Sequence, residues 1–549
     1  MNWLDYSIIL LYIVFFLGMG FFFKDNKDSK DYFLGGRSMG WFPLSLSTMA
    51  TQLSAISFIS APAFVGLKLG GGMKWLTFEF AVPLAMLFIM IVIIPPLFRS
   101  GVVSIYEFVE KRFSSSTRLI LSVVFQISRA LGTGVMVYTI AIILQAVLDI
   151  DFVYTILIIS VITIIYSWQG GMKAVVWGDA IQMIILFLGL IICLIYGWNT
   201  VQDLGGLTDG FDSERLQVVD FNLGIGDGNE YGFWPMLIGG FFLYVSYYGC
   251  DQTQAQRLLS AKDEKTIRTL LLANGLLRFP VVLVYCVMGL ILGSLITLAP
   301  DFLSDIASTT QKHFPEEYAA NGIKADLMVP VFIMKYLPHG LIGILMVGIL
   351  SAAMSSLSST VNSLSAVTVE DFFNRGKTKL EPKKYMAISK AAVVFWGVVC
   401  IACAFLFGGS NSPVIEIINA IGSVFYGPVL VTFLLAFFSK KVNHIGMNAG
   451  IIVAVLINLM FSQTIQELFH IDLGFNVFWI WLNFTGVIIA FVVAFAVSAM
   501  TRSVKVKEIS NFNITLKKSD FLIKEVYILV TFFIAILIFS YFIPTIFGQ

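Results

Sequence analysis

Charge is what this 549-residue sequence has least of: Asp, Glu, Lys and Arg together make up 13% of it, and 35 basic against 34 acidic residues leave a formal net charge of +1. A chain so balanced gives no sign of a nucleic-acid partner. Histidine is scarce, with only four residues, and His313, His339, His444 and His470 all fall near loops or the ends of apolar runs. No nucleophile, base and orienter come together, so a membrane-embedded hydrolase has no constellation to work with and the chain does not read as an enzyme. The five cysteines, Cys193, Cys250, Cys286, Cys400 and Cys403, lie inside apolar runs, which fits buried thiols better than a disulfide framework. Long polar stretches are missing as well. The longest reach roughly thirty residues, fewer than a separate soluble domain usually needs.

Apolar residues fill the sequence instead: 58% of it is hydrophobic, with 50 Phe. About fourteen stretches reach the length of roughly 20 apolar residues that a spanning helix requires, so the fold class is an all-α integral membrane protein with the lipid bilayer as its surroundings. The first stretch, 6–23, is too long for the apolar core of a signal peptide and has no small-residue cleavage site; it is taken as a helix. Basic residues gather in alternate loops, at 24–37, 99–118, 169–173, 257–268, 375–384, 440–441 and 502–524. The positive-inside rule places these loops in the cytoplasm, which puts both termini outside a plasma (inner) membrane.

Polar groups inside the apolar runs are the informative exceptions. In the run from Ser351 to Ser363, Ala352, Ser355, Ser356, Ser359 and Ser363 share one helix face, with Ser358 and Asn362 beside it. Converging hydroxyls suit a small hard cation; small residues also line close helix contacts in membranes, and serine can bond back to its own helix. Two spans look interrupted. Gly40 to Gly66 carries Ser45, Ser47, Thr48, Thr51, Gln52, Ser54, Ser57 and Pro62, and Phe233 to Gln256 carries Gly239, Gly240, Ser246, Tyr247, Tyr248, Gly249 and Asp251. A lipid-facing helix does not hold such a density of polar groups. The two lie five helices apart, the pattern of an inverted repeat with a substrate and ion site at the midplane; kinked, glycine-rich packing helices are the plainer alternative.

Several collinear motifs carry a family likeness across nearly the whole chain: the run 31–37 (DYFLGGR), the run 106–113 (YEFVEKRF), the run 170–179 (GGMKAVVWGD), Asp251-Gln252 with Gln256-Arg257, and the serine face. In these the chain resembles the sodium/solute symporters, the family of sodium-coupled glucose, iodide, monocarboxylate and sialic acid carriers. The resemblance implies a five-plus-five inverted-repeat (LeuT-like) core at 40–439, with an extra helix at 4–23 before it and further helices at 440–549 after it. It also implies one or two sodium ions and no organic cofactor. One ion would be held by the carbonyls of Ala50, Leu53 and Ala352 with the hydroxyls of Ser355 and Ser356; Asp179, Ser358 and Ser359 map to a second. An ionised Asp at a membrane-helix position costs roughly 2.5 to 3.5 kcal/mol, so Asp179 is expected to have a cation partner or a wet lining unless it sits at the helix entrance beside Lys173 and Trp177.

For the solute, Gln52, Ser57, Glu79, Tyr247, Arg278 and Asn419 align with positions of the sugar-carrying branch, and carboxylate and amide pairs chelate adjacent hydroxyls well. The expected activity is therefore sodium-driven uptake of a small polar solute, a sugar or polyol. Tyr244 and Asp251 depart from that branch, each standing where Asn is usual. The alternative is an organic anion such as sialic acid or a monocarboxylate, for which Arg129 is the clue; Arg129 also has the option of snorkelling from the start of its helix. A sensory membrane module on the same fold is a more distant option, and the oligomeric state is left open.

Overall fold

An apolar run of membrane length leaves backbone N–H and C=O groups with no solvent partner, so each segment closes its hydrogen bonds internally and becomes a helix. The computed structural model describes the chain apart from residues 24–28, 54, 208–212, 227–229, 376–379, 407–412, 469–470, 502–503, 505–520 and 548–549. Ser54, His470 and parts of the basic loops at 24–37, 375–384 and 502–524 thus lie outside the described residues. The long elements are α1 (Trp3–Phe22), α2 (Trp41–Gln52), α3 (Ala55–Gly66), α4 (Met73–Arg99), α5 (Ser115–Leu148), α6 (Phe152–Asp203), α7 (Phe233–Cys250), α8 (Gln252–Leu259) and α9 (Glu264–Leu298). They continue with α10 (Leu341–Thr368), α11 (Pro382–Ala404), α12 (Val414–Phe438), α13 (His444–Phe461), α14 (Trp479–Met500) and α15 (Lys524–Phe547).

Among the described residues, 11 helices are long and apolar enough to cross a membrane, or 12 when α2 and α3 count as one bent span. The sequence suggests about fourteen runs, and α6 accounts for part of the difference because it enters that number once. At 52 residues it would be about 78 Å long if straight, more than twice the apolar thickness of a bilayer. It is not straight: Gly171 takes φ 57 and ψ −152, which only glycine adopts readily, and kinks the chain there. A Cβ there would lie 2.7 Å from the Tyr32 carbonyl oxygen. Both breaks expected from sequence are also present. α2 and α3 are bent by 51°, and α7 stops at Asp251, which takes φ −98 and ψ 129 before α8 resumes.

Burial sorts the helices into a centre and a rim. Within their apolar windows α10 and α12 are 83% buried, whereas α1, α11 and α15 are 28% buried and face lipid. Close backbone approach builds the centre: a Cβ on Gly66 would stand 2.4 Å from the Gly289 carbonyl oxygen, so α3 and α9 pack through glycine. α1 is pinned to the centre by a carboxylate. Buried Asp5 accepts hydrogen bonds from the Gly340 and Gly343 amides at 2.7 and 3.0 Å and lies 3.0 Å from His339 Nδ1, satisfying donors that the start of α10 would otherwise leave open.

Candidate functional site

The first break sits beside the serine face. α2 ends at Gln52, and Leu53, with φ −86 and ψ 84, leaves helical geometry while its amide still donates to the Met49 carbonyl at 2.7 Å. Carbonyls near the break take side-chain partners. The Tyr247 hydroxyl donates to Thr51 O at 3.3 Å, and Gln254 Nε2 donates to Thr48 O at 3.3 Å. Ala50, Leu53, Ala352, Ser355 and Ser356 are all buried, and α10 packs against both α2 and α3. Leu53 and Ser356 line the same cavity, and the Ser356 hydroxyl is buried with no hydrogen-bond partner. A buried hydroxyl left open facing a cavity points to a ligand or water.

Asp179 is completely buried in α6, about two turns past the break at Gly171. Its Oδ1 accepts from Ser355 Oγ at 2.6 Å; its Oδ2 accepts from Ser47 Oγ at 2.6 Å, Arg257 Nη2 at 2.8 Å and Ser359 Oγ at 3.1 Å. Arg257, only 1% exposed at its side chain, also donates through Nε to Ser47 Oγ at 2.8 Å and through Nη2 to Ser359 Oγ. The cation expected beside Asp179 is thus a guanidinium from α8, an identity that sequence reasoning missed because Arg257 had served only as a motif residue. Ser358 is engaged elsewhere: it donates to the Ser355 carbonyl at 2.9 Å and accepts from the Tyr166 hydroxyl at 2.7 Å. This cluster ties α2, α6, α8 and α10 together.

All seven expected solute residues, Gln52, Ser57, Glu79, Arg129, Tyr247, Arg278 and Asn419, line one cavity. Their hydrogen bonds differ from what a sugar site needs. Glu79 accepts from Arg278 Nε at 2.9 Å, Arg278 Nη2 at 3.2 Å and the Tyr244 hydroxyl at 3.0 Å, so both its oxygens are committed. Asn419 Nδ2 donates back to the Ile415 carbonyl at 2.7 Å. The Gln52 amide oxygen is buried without a partner.

Arg129 does not snorkel. Its Nε donates to Asp251 Oδ2 at 2.6 Å and its Nη2 to the Tyr426 hydroxyl at 2.8 Å, while the guanidinium carbon lies 4.7 Å from the Tyr247 ring centre and 5.6 Å from that of Tyr426. Nη1 makes none of these bonds. Tyr426 and Thr360 also line the cavity and were not anticipated; a lone tyrosine in an apolar run carries no signal of its own. One end of the cavity is roofed by aromatic rings. Trp75 packs at 5.9 Å from Phe78 and 6.5 Å from Trp479, and beyond them Lys68 pairs with Glu416 and lies 5.2 Å over the Phe64 ring.

Comparison with known proteins places the fold among sodium-coupled carriers. A model of the sodium:solute symporter family matches residues 32–454. The chain is similar to sodium-coupled monocarboxylate transporter 2 of Danio rerio, with 30% identity over 465 residues covering 82% of this chain and 70% of that protein. It is also similar to the sodium/iodide cotransporter of Homo sapiens, with 28% identity over 455 residues covering 81% and 68%. Among solved structures, the substrate-bound outward-open state of a Na+-coupled sialic acid symporter superposes with a TM-score of 0.79 at 23% identity, covering 92% of this chain and all of that one. That likeness carries the fold.

Proposed function

The chain belongs to the sodium:solute symporter family, and from that premise we propose that it couples sodium to the uptake of a small anion, most simply a monocarboxylate. Sodium-coupled transport follows from the family; the solute is the open question. The observation that carries the anion reading is Arg129, half-buried at the cavity beside two tyrosine rings with one guanidinium nitrogen uncommitted. A planar fork at low dielectric suits a carboxylate. Among the groups that favoured a sugar or polyol, Glu79 is paired with Arg278 and the Asn419 amide donates to its own helix, which leaves fewer free chelating groups for hydroxyls. The two relatives compared here are named for anions, a monocarboxylate and iodide.

For the ions, the first site is the carbonyls of Ala50, Leu53 and Ala352 with the hydroxyls of Ser355 and Ser356; the open Ser356 hydroxyl supports it. A second ion at Asp179, Ser358 and Ser359 requires Arg257 to share or yield the carboxylate. We retain the core at 40–439, flanked by 4–23 and 440–549, with both termini outside.

Uptake into proteoliposomes tests the reading. With an inward sodium gradient, labelled L-lactate or iodide accumulates and D-glucose does not, and replacing sodium by potassium removes the accumulation. Sodium-driven glucose uptake with neither anion transported would return the assignment to the sugar branch.

A further inference from the structure

We propose that Asp251 is a tethered competitor for the solute: it holds Arg129 while the cavity is empty, and an arriving anion takes over the guanidinium and releases the break between α7 and α8. The inference rests on the anion reading above and adds to it the residue that converts binding into movement.

Asp251 does two things with two oxygens. Oδ1 accepts the Thr253 amide at 2.8 Å, capping α8, and Oδ2 accepts Arg129 Nε at 2.6 Å. The cap does not require a charge, because Asn caps as well as Asp. The charge therefore serves the bond to Arg129, which joins α5 to the interrupted span at its break. Arg129 and Thr253 both line the cavity, so a solute anion that reaches Nη1 meets a guanidinium already carrying a carboxylate on its other edge. Two anions on one guanidinium repel across a few ångströms of poorly screened space, and the bond to Asp251 weakens. Arg129 remains seated on Tyr247 and Tyr426 throughout, so the competitor moves and the fork stays. The neighbour of Asp251 reports such a movement: Cys250 is fully buried at the last position of α7.

The test uses the full chain in proteoliposomes, with L-lactate, iodide and D-glucose as probes and N-ethylmaleimide modification of Cys250 followed by peptide mass. In Asp251→Asn, KM for the transported anion falls about tenfold while the maximal rate also falls, because the solute no longer competes and the break no longer closes behind it. Cys250 is modified about fivefold faster than in wild type without solute, as in a local opening, and Asp251→Glu restores both values toward wild type. In wild type, saturating anion accelerates Cys250 modification and glucose does not. An unchanged or raised KM in Asp251→Asn, or wild-type Cys250 modification indifferent to an anion that is transported, overturns the competitor role with the anion reading intact. Uptake of glucose alone by wild type overturns both. If Asp251→Asn does not fold, the wild-type modification rates with and without anion decide the matter by themselves.

Discussion

At Leu53 the break between α2 and α3 presents no charged side chain, and its nearby carbonyls accept from a tyrosine hydroxyl and a glutamine amide. At Asp251 the break between α7 and α8 presents a carboxylate that caps one helix and grips an arginine of another. Both interruptions leave backbone groups unsatisfied at membrane depth, where each would cost several kcal/mol if it faced lipid. One presents acceptors, which the proposed sodium site would use; the other covers its donors with an anion and thereby recruits a cationic side chain. The sign of what each break attracts follows from which backbone group it exposes, carbonyls at the end of α2 and amides at the start of α8.

The joint between the two breaks carries the largest expected effect. Arg257 of α8 reaches Asp179 and, through Ser47, α2. Asp179→Asn leaves a guanidinium buried without its counter-charge, which costs about 3–5 kcal/mol. Most of the protein is then lost from the folded fraction in fluorescence-detected chromatography. The double variant Asp179→Asn with Arg257→Gln regains the folded yield, since removing both charges removes the penalty. Folded double variant with a lower charge-to-solute ratio supports an ion at Asp179; an unchanged ratio leaves Asp179 a structural residue. For a monovalent anion the ratio is read directly, because one sodium per solute moves no net charge and two move one.

Next in size is the first break alone. Ser356→Ala removes one of few oxygens from the proposed sodium site and leaves no buried partner stranded, because its hydroxyl has none. Sodium-driven uptake falls by at least about tenfold, roughly the worth of a hydrogen bond to a charged group, with the folded yield unchanged. Wild-type sodium dependence in this variant would move the ion elsewhere.

At the second break, Arg129→Lys keeps the charge and loses the fork. Solute affinity drops about tenfold while sodium affinity holds, since a point charge cannot serve Asp251, Tyr426 and a carboxylate together. Equal losses in both affinities would mean that Arg129 supports the fold and not the solute.

The sequence made the two breaks legible because serine, threonine, glutamine and aspartate are rare on a lipid-facing helix, so their clustering at Gly40 to Gly66 and Phe233 to Gln256 needs a reason. The serine face was legible for the same cause. What could not be read was pairing. Asp179 and Arg257 are 78 positions apart, and Glu79 and Arg278 are 199 apart. A one-dimensional pattern shows that a buried charge needs a partner and does not show which. Hence Glu79 and Asn419 read as free chelators of a polyol, although each is engaged inside the protein, and Arg129 read as a snorkelling residue or an anion clamp until Asp251 and Tyr426 were found around it. Tyr426 was invisible because an aromatic in an apolar helix is ordinarily core.

The smallest predicted effect concerns one of the direct bonds between the two interrupted spans, from the Tyr247 hydroxyl to the Thr51 carbonyl at 3.3 Å, alongside that from Gln254 to the Thr48 carbonyl. Tyr247 belongs to α7, whose end is the second break, and its ring supports Arg129; Thr51 belongs to the last turn before the first break. Tyr247→Phe keeps the ring under the guanidinium and deletes only the hydroxyl. At that length the bond contributes no more than about 1 kcal/mol, so neither the folded yield nor the affinity for solute in saturating sodium changes beyond about twofold. The quantity that moves is the coupling: the factor by which sodium raises solute affinity falls by about two- to fivefold, and by linkage solute raises sodium affinity by the same smaller factor. Titrating each ligand with and without the other measures both. A coupling factor equal to wild type would show that the breaks communicate through Gln254, Arg257 and the serine face without this hydroxyl, and a loss of solute affinity at all sodium concentrations would show that the hydroxyl serves the cavity and not the connection.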